Sequence, residues 1–170
     1  MTIRGAELAV TLARTVLEEN LEARLLAIAQ DADDGFDVPM VRVGLQPAGD
    51  FYEWDASGDV VDQLPACAIH ARESARAEGV DANVLAQMHS VEITFWVKSA
   101  DGRTEDLVKR LWRYEAATKD LFTYRKGQLQ TLLAPTGPAS GCTWRSSTFS
   151  GEGDLRSVTL RFEIRIHETK

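Results

Sequence analysis

Cysteine is scarce in this chain, with two in 170 residues, Cys67 and Cys142. A disulfide scaffold is excluded on that count, and the pair is expected as reduced thiols in a cytosol. No apolar run approaches the roughly 18 residues that a membrane span needs. The opening Met1-Thr2-Ile3-Arg4-Gly5-Ala6-Glu7 meets charge too soon for a secretory signal. Proline and glycine, 5 and 12 in number, are too few for a collagen-like or low-complexity chain. Basic residues are sparse where acidic ones are dense. Residues 1–85 hold 6 basic and 16 acidic side chains, a net of −10, and residues 86–170 hold 13 and 10, a net of +3. With −7 overall the chain is a poor nucleic-acid binder, because affinity for phosphates comes from Lys and Arg displacing counterions. The split charge instead suits a protein that docks on its own copies, acidic surface to basic surface.

Chemical motifs are also missing. There is no Gly-x-Ser-x-Gly elbow, and Gly151-x-Gly153 lacks the third glycine and following helix of a nucleotide loop. Cys67-x-x-His70 with His89 is the sole grouping with a metal flavour, but a zinc site wants a second ligand pair. Strand alternation also puts Cys67 and His70 on opposite faces. Asp31, Asp33 and Asp34 lack the glycine and terminal glutamate of a calcium loop and read as a solvated helix exit. Cys142 precedes a strand, with no helix N-terminus to activate it, so a small half-buried thiol is expected. No catalytic residue, metal or cofactor is therefore assigned.

What is present is a single domain's worth of regular patterning over 1–170: 44% apolar and 26% charged residues, enough to bury a core. Leu8, Leu12, Val16, Leu17, Leu21, Leu25 and Ile28 form a helical stripe over 6–30. Val41, Val43 and Leu45 alternate as a strand; 64–71 gives a second, and Val91, Ile93, Phe95 and Val97 a third. Thr104 caps a helix over 103–121 with Leu107, Leu111, Tyr114, Thr118 and Leu121 as its buried stripe and Val108 and Trp112 beside it. Its Glu105–Lys109, Asp106–Arg110 and Glu115–Lys119 pairs mark the face that meets water or a partner. Residues 142–149 and 158–166 form a closing hairpin through Gly151-Glu152-Gly153-Asp154. The order helix, three strands, helix, two strands gives an α+β fold, an antiparallel sheet with two amphipathic helices packed on one face. Residues 46–62, 72–87 and 122–140 are expected as long loops, a length that compact domains keep for function. The first carries Phe51, Tyr52 and Trp54 among acidic residues, an expected contact surface.

This arrangement resembles the tail terminator proteins of long-tailed bacteriophages, also called tail completion or head–tail joining proteins. The features that carry the resemblance are the leading amphipathic helix, the strand-turn-helix from Val91-Glu92-Ile93-Thr94-Phe95-Trp96-Val97 into 104–121, and the final strand Leu160-Arg161-Phe162-Glu163-Ile164-Arg165-Ile166. The resemblance implies a structural virion protein of the tail or neck, assembled in the host cytoplasm, with neither enzymatic activity nor membrane contact. It implies a homo-oligomeric ring, usually a hexamer, that caps the tail tube, stops its growth and joins it to the head-side connector or stopper. DNA passes through only as cargo; at −7 per copy, six copies carry −42 formal charges, consistent with a channel that does not hold phosphates. A ring needs one patch to meet a different patch on the next copy. The expected basic patches are Lys109, Arg110 and Arg113 on the second helix, or Arg161 and Arg165 on the last strand, against a neighbour's acidic first half. The alternatives are a connector, a stopper, a tail-tube subunit, or a small enzyme with a site built across an interface.

Overall fold

The computed structural model describes residues 5–36, 38–39, 41–45, 64–76, 84–99, 104–123 and 139–169, with the backbone path alone at 42–45, 76, 84–86, 139–140 and 167–169. Seven elements follow in chain order: α1 (Gly5–Ala32), β1 (Arg42–Leu45), β2 (Ala66–Arg76), β3 (Val84–Lys98), α2 (Thr104–Thr123), β4 (Ala139–Ser150) and β5 (Leu155–Thr169). The order is the one the sequence pattern predicts, and the fold is α+β.

The strands form one sheet in the order β1-β2-β3-β5-β4. Four of them, β2 to β5, pair antiparallel, and β1 runs parallel to β2 with Arg42 opposite Ala66. The fully antiparallel sheet expected from sequence is corrected at that edge. Alternating apolar residues cannot reveal it, because parallel and antiparallel neighbours share the period of two. β3 and β5 form the centre, paired over their full length from Val84–Thr169 to Lys98–Leu155. The expected 72–87 loop is also corrected: residues 72–76 and 84–87 extend β2 and β3 into a long hairpin arm past a bulge at Ala71/Glu73. Polar side chains at Arg72, Glu73 and Ser74 disguise that arm, since it extends the sheet without adding to the apolar core.

One face of the sheet is the core. Val91, Ile93 and Phe95 of β3, and Val158, Leu160, Phe162, Ile164 and Ile166 of β5, are fully buried. Two helices cover them, α1 over the β1–β2–β3 side and α2 over the β3–β5–β4 side. α1 buries Ala9, Ala13, Val16, Leu17, Leu21 and Leu25, whereas Leu8, Leu12 and Ile28 lie at the margin. The N-terminal half of its contact stripe is thus made by alanines, whose small side chains let the helix lie close to the strands. α2 buries all five residues of its expected stripe together with Phe122, and Phe95 stacks on Tyr114 with ring centroids 5.0 Å apart. A buried phenylalanine pair, Phe122 and Phe162, joins its other end to β5. In the β4–β5 turn Gly151 has φ +109, and a Cβ there would lie 2.4 Å from the Leu155 carbonyl oxygen, so only glycine closes this hairpin.

Candidate assembly interface

The face of the sheet opposite the helices carries a charged lattice. Glu92 of β3 is 6% exposed and takes its partners from two neighbouring strands. Arg161 of β5 donates to its Oε1 through Nε at 3.0 Å and Nη2 at 2.6 Å. Arg72 Nε lies 3.1 Å and His70 Nε2 3.2 Å from the other oxygen. The Glu92 carboxylate therefore favours the charged form of Arg161 and raises its pKa further. Arg145 of β4 pairs with Glu163, and Thr94 and Thr159 exchange a 3.0 Å hydrogen bond in the same layer. Arg165 stands on this face too, partly exposed and without an ion pair among the described residues.

The helix layer carries the opposite sign. Glu7, Glu18, Glu19, Glu22 and Asp31 of α1 are all exposed, with Leu26 53% exposed among them. α1 thus presents an acidic outer surface on one side of the sheet, and Arg161 of β5 and Arg145 of β4 stand on the other beside their carboxylate partners.

The second-helix candidates are placed differently from expectation. Arg113, expected at the surface, is 9% exposed and donates to the Ile28 carbonyl at 2.7 Å and to Asp34 at 2.7 Å. Lys109 reaches the same Asp34 carboxylate at 2.6 Å and lies over the Phe36 ring. Asp34 stands at the solvated exit of α1, as read from sequence, and takes these two partners there. The hydrogen bond from Lys109, with a smaller contribution from the Phe36 amide, holds its carboxyl below the ordinary 3.8. Asp31, expected in a loop, belongs to the last turn of α1. With an Arg24–Asp120 pair further along, these contacts clamp the two helices antiparallel. The Nε of Arg110 is buried without a hydrogen-bond partner among the described residues. Of the three expected pairs along α2, Glu115–Lys119 forms at 3.7 Å, whereas Lys109 turns to Asp34 instead. Phe51, Tyr52 and Trp54 lie outside the described residues.

Arg161 and Arg165 are thus brought together on one face, and Lys109 and Arg113 on one carboxylate in the other layer. Sequence reasoning missed Glu92 as the common partner. Its even position in β3 opposite Arg161 carries the signal, but the register that joins them needs the fold. It also missed a strip of exposed aromatics, Trp112 (58%), Phe149 (44%) and Trp144 (37%). The Lys119 ammonium sits 4.2 Å above the Trp144 ring.

The remaining polar chemistry is structural. Cys67 is buried in the core face and its thiol pKa is pushed up by burial; that of Cys142 is pushed up to about 12 for the same reason. Cys67 and His70 do point to opposite faces, and Ser74 Oγ meets His89 Nδ1 at 2.8 Å. Among the described residues no group of three His, Cys, Asp or Glu side chains is placed to hold a metal, and no helix is long and apolar enough to cross a membrane.

No family model matches the chain. No curated protein matches it either. Among solved structures, a chain from the virion of a native gene transfer agent particle is similar, with 16% identity over 89% of this chain and 95% of that one and a TM-score of 0.43.

Proposed function

We infer that this protein is a non-enzymatic subunit of a phage-like virion that closes into a ring, caps the tail tube and joins it to a head-side connector or stopper. The observation that carries the reading is an acidic helix surface on one face of the sheet and surface arginines on the other. The exposed carboxylates of α1 and the Arg161–Arg165 pair are unlike patches on one copy, the requirement for head-to-tail closure. The element order behind the resemblance to tail terminators supports the placement at the tail end. In this arrangement Arg165 and the Glu92-bound Arg161 meet Glu18, Glu19 and Glu22 of the next copy. Lys109 and Arg113 hold the helix pair that presents those carboxylates.

Native mass and electron microscopy of the purified chain, alone and with tail tubes, test the reading. A closed ring seated at one tube end is expected. Long tubes from the protein alone would make it a tube subunit instead, and a monomer that ignores tube ends would overturn the ring. Arg165→Glu is expected to weaken the ring and steepen its salt dependence while leaving monomer stability within about 0.5 kcal/mol.

A further inference from the structure

The exposed aromatics cluster between α2 and the edge strand β4, and their surroundings specify what covers them. Val108, Trp112 and Lys119 lie on the same side of α2, since Lys119 follows Trp112 by two turns and its ammonium lies over Trp144 of β4. Further along β4, Phe149 pairs with Val158 and points to the helix side as Trp144 does. At the other end a groove of about 630 Å³ opens between Thr104, Glu105, Val108, Trp112 and Arg156. Arg156 donates to the Gly151 carbonyl at 2.5 Å, which fixes the groove beside the β4–β5 turn. Its Nε is buried and has no hydrogen-bond partner among the described residues. With Lys109, Arg113 and Arg156 around Val108 and Trp112, the groove suits a carboxylate flanked by aromatic or apolar groups. Among the described residues no strand pairs with the outer edge of β4, so it can also accept an extended segment.

The chain contains one stretch of that composition. Residues 46–63 hold Asp50, Glu53, Asp55, Asp59 and Asp62 with Phe51, Tyr52 and Trp54, and no Lys or Arg. In sequence the stretch follows Leu45 of β1, which is the edge strand opposite β4. We propose that, in the ring, the β1 edge of one copy meets the β4 edge of the next and residues 46–63 dock in the groove that Val108, Trp112 and Arg156 line there, with a carboxylate on Arg156 and aromatic side chains on Trp112. The proposal rests on the ring reading and specifies its contact.

Two variants separate donor from acceptor. Phe51→Ser/Tyr52→Ser/Trp54→Ser disables the donor, and Trp112→Ser, an exposed position, disables the acceptor. Each alone is expected to be a folded monomer by circular dichroism and native mass, whereas the wild type forms a ring. An equimolar mixture is expected to give a two-copy species and nothing larger, because one intact contact remains. A labelled peptide of residues 46–63 should bind the donor-disabled chain and lose roughly tenfold or more in affinity on Trp112→Ser or Arg156→Glu. A mixture that stays monomeric beside a wild-type ring, or peptide binding indifferent to both acceptor changes, would overturn the docking and leave the ring standing. A wild-type chain that never assembles would overturn the ring reading and the docking with it.

Discussion

The two faces of this sheet are built from the same strands by alternation, yet they are held by different physics. On the helix-covered face cohesion comes from removing apolar surface from water. Phe95, Phe162 and their neighbours are fully buried, and each such side chain contributes about 1.5–3 kcal/mol. On the uncovered face one carboxylate, Glu92, gathers the Arg72 and Arg161 guanidinium groups and the His70 imidazole from β2 and β5. The first face fixes the fold. The second holds its charges largely paired within the sheet. The comparison teaches that burial and exposure alone do not sort structural from functional positions here, since Glu92 is nearly as buried as the core.

The comparison breaks most visibly at Phe162. Phe162→Ala removes a fully buried ring and its partnership with Phe122, and a loss of about 3–5 kcal/mol is expected in chemical denaturation. Glu92→Gln tests the other face. It leaves Arg161, Arg72 and His70 around a neutral amide, and a loss of about 1–3 kcal/mol is expected, larger at low salt than at high. If the uncovered face contributed nothing, this variant would melt with the wild type. Arg161→Leu removes one half-exposed arm of the same cluster and should cost less than about 1 kcal/mol in the monomer.

Acid sharpens the comparison at a site outside both faces. Asp34 is held below its ordinary 3.8, first by the Lys109 hydrogen bond. Its contribution is therefore complete above the unfolded value and disappears as pH falls through the lower folded one. Denaturation midpoints measured between neutral pH and pH ~2 should decline more steeply for the wild type than for Asp34→Asn across that window. Parallel acid limbs would remove the helix clamp as an acid-sensitive element.

Much of the core was legible because its period is. The alternation Val158, Leu160, Phe162, Ile164, Ile166 and the α2 stripe Leu107, Leu111, Tyr114, Thr118, Leu121 each match the buried set. The direction of β1 was not legible, because residues four positions long carry no mark of their neighbour's orientation. The candidate surface was legible only in part. Arg161 and Arg165 alternate on one visible face, but Arg113 sits on α2 beside two solvent-suited charges, and only the approach of α1 shows that it is enclosed. Trp112 was placed beside the stripe by its spacing, yet it is 58% exposed, which spacing alone does not show.

The carboxylate at the centre of the open face has one more effect. Long arginine side chains normally lose rotational freedom when they meet a partner, and that loss opposes association. Here Arg161 and Arg72 are already restrained by Glu92 in the free subunit, so the ordering is completed when the chain folds. Neighbours that meet this face encounter a preset array of donors, and each successive copy docks with less entropy left to surrender.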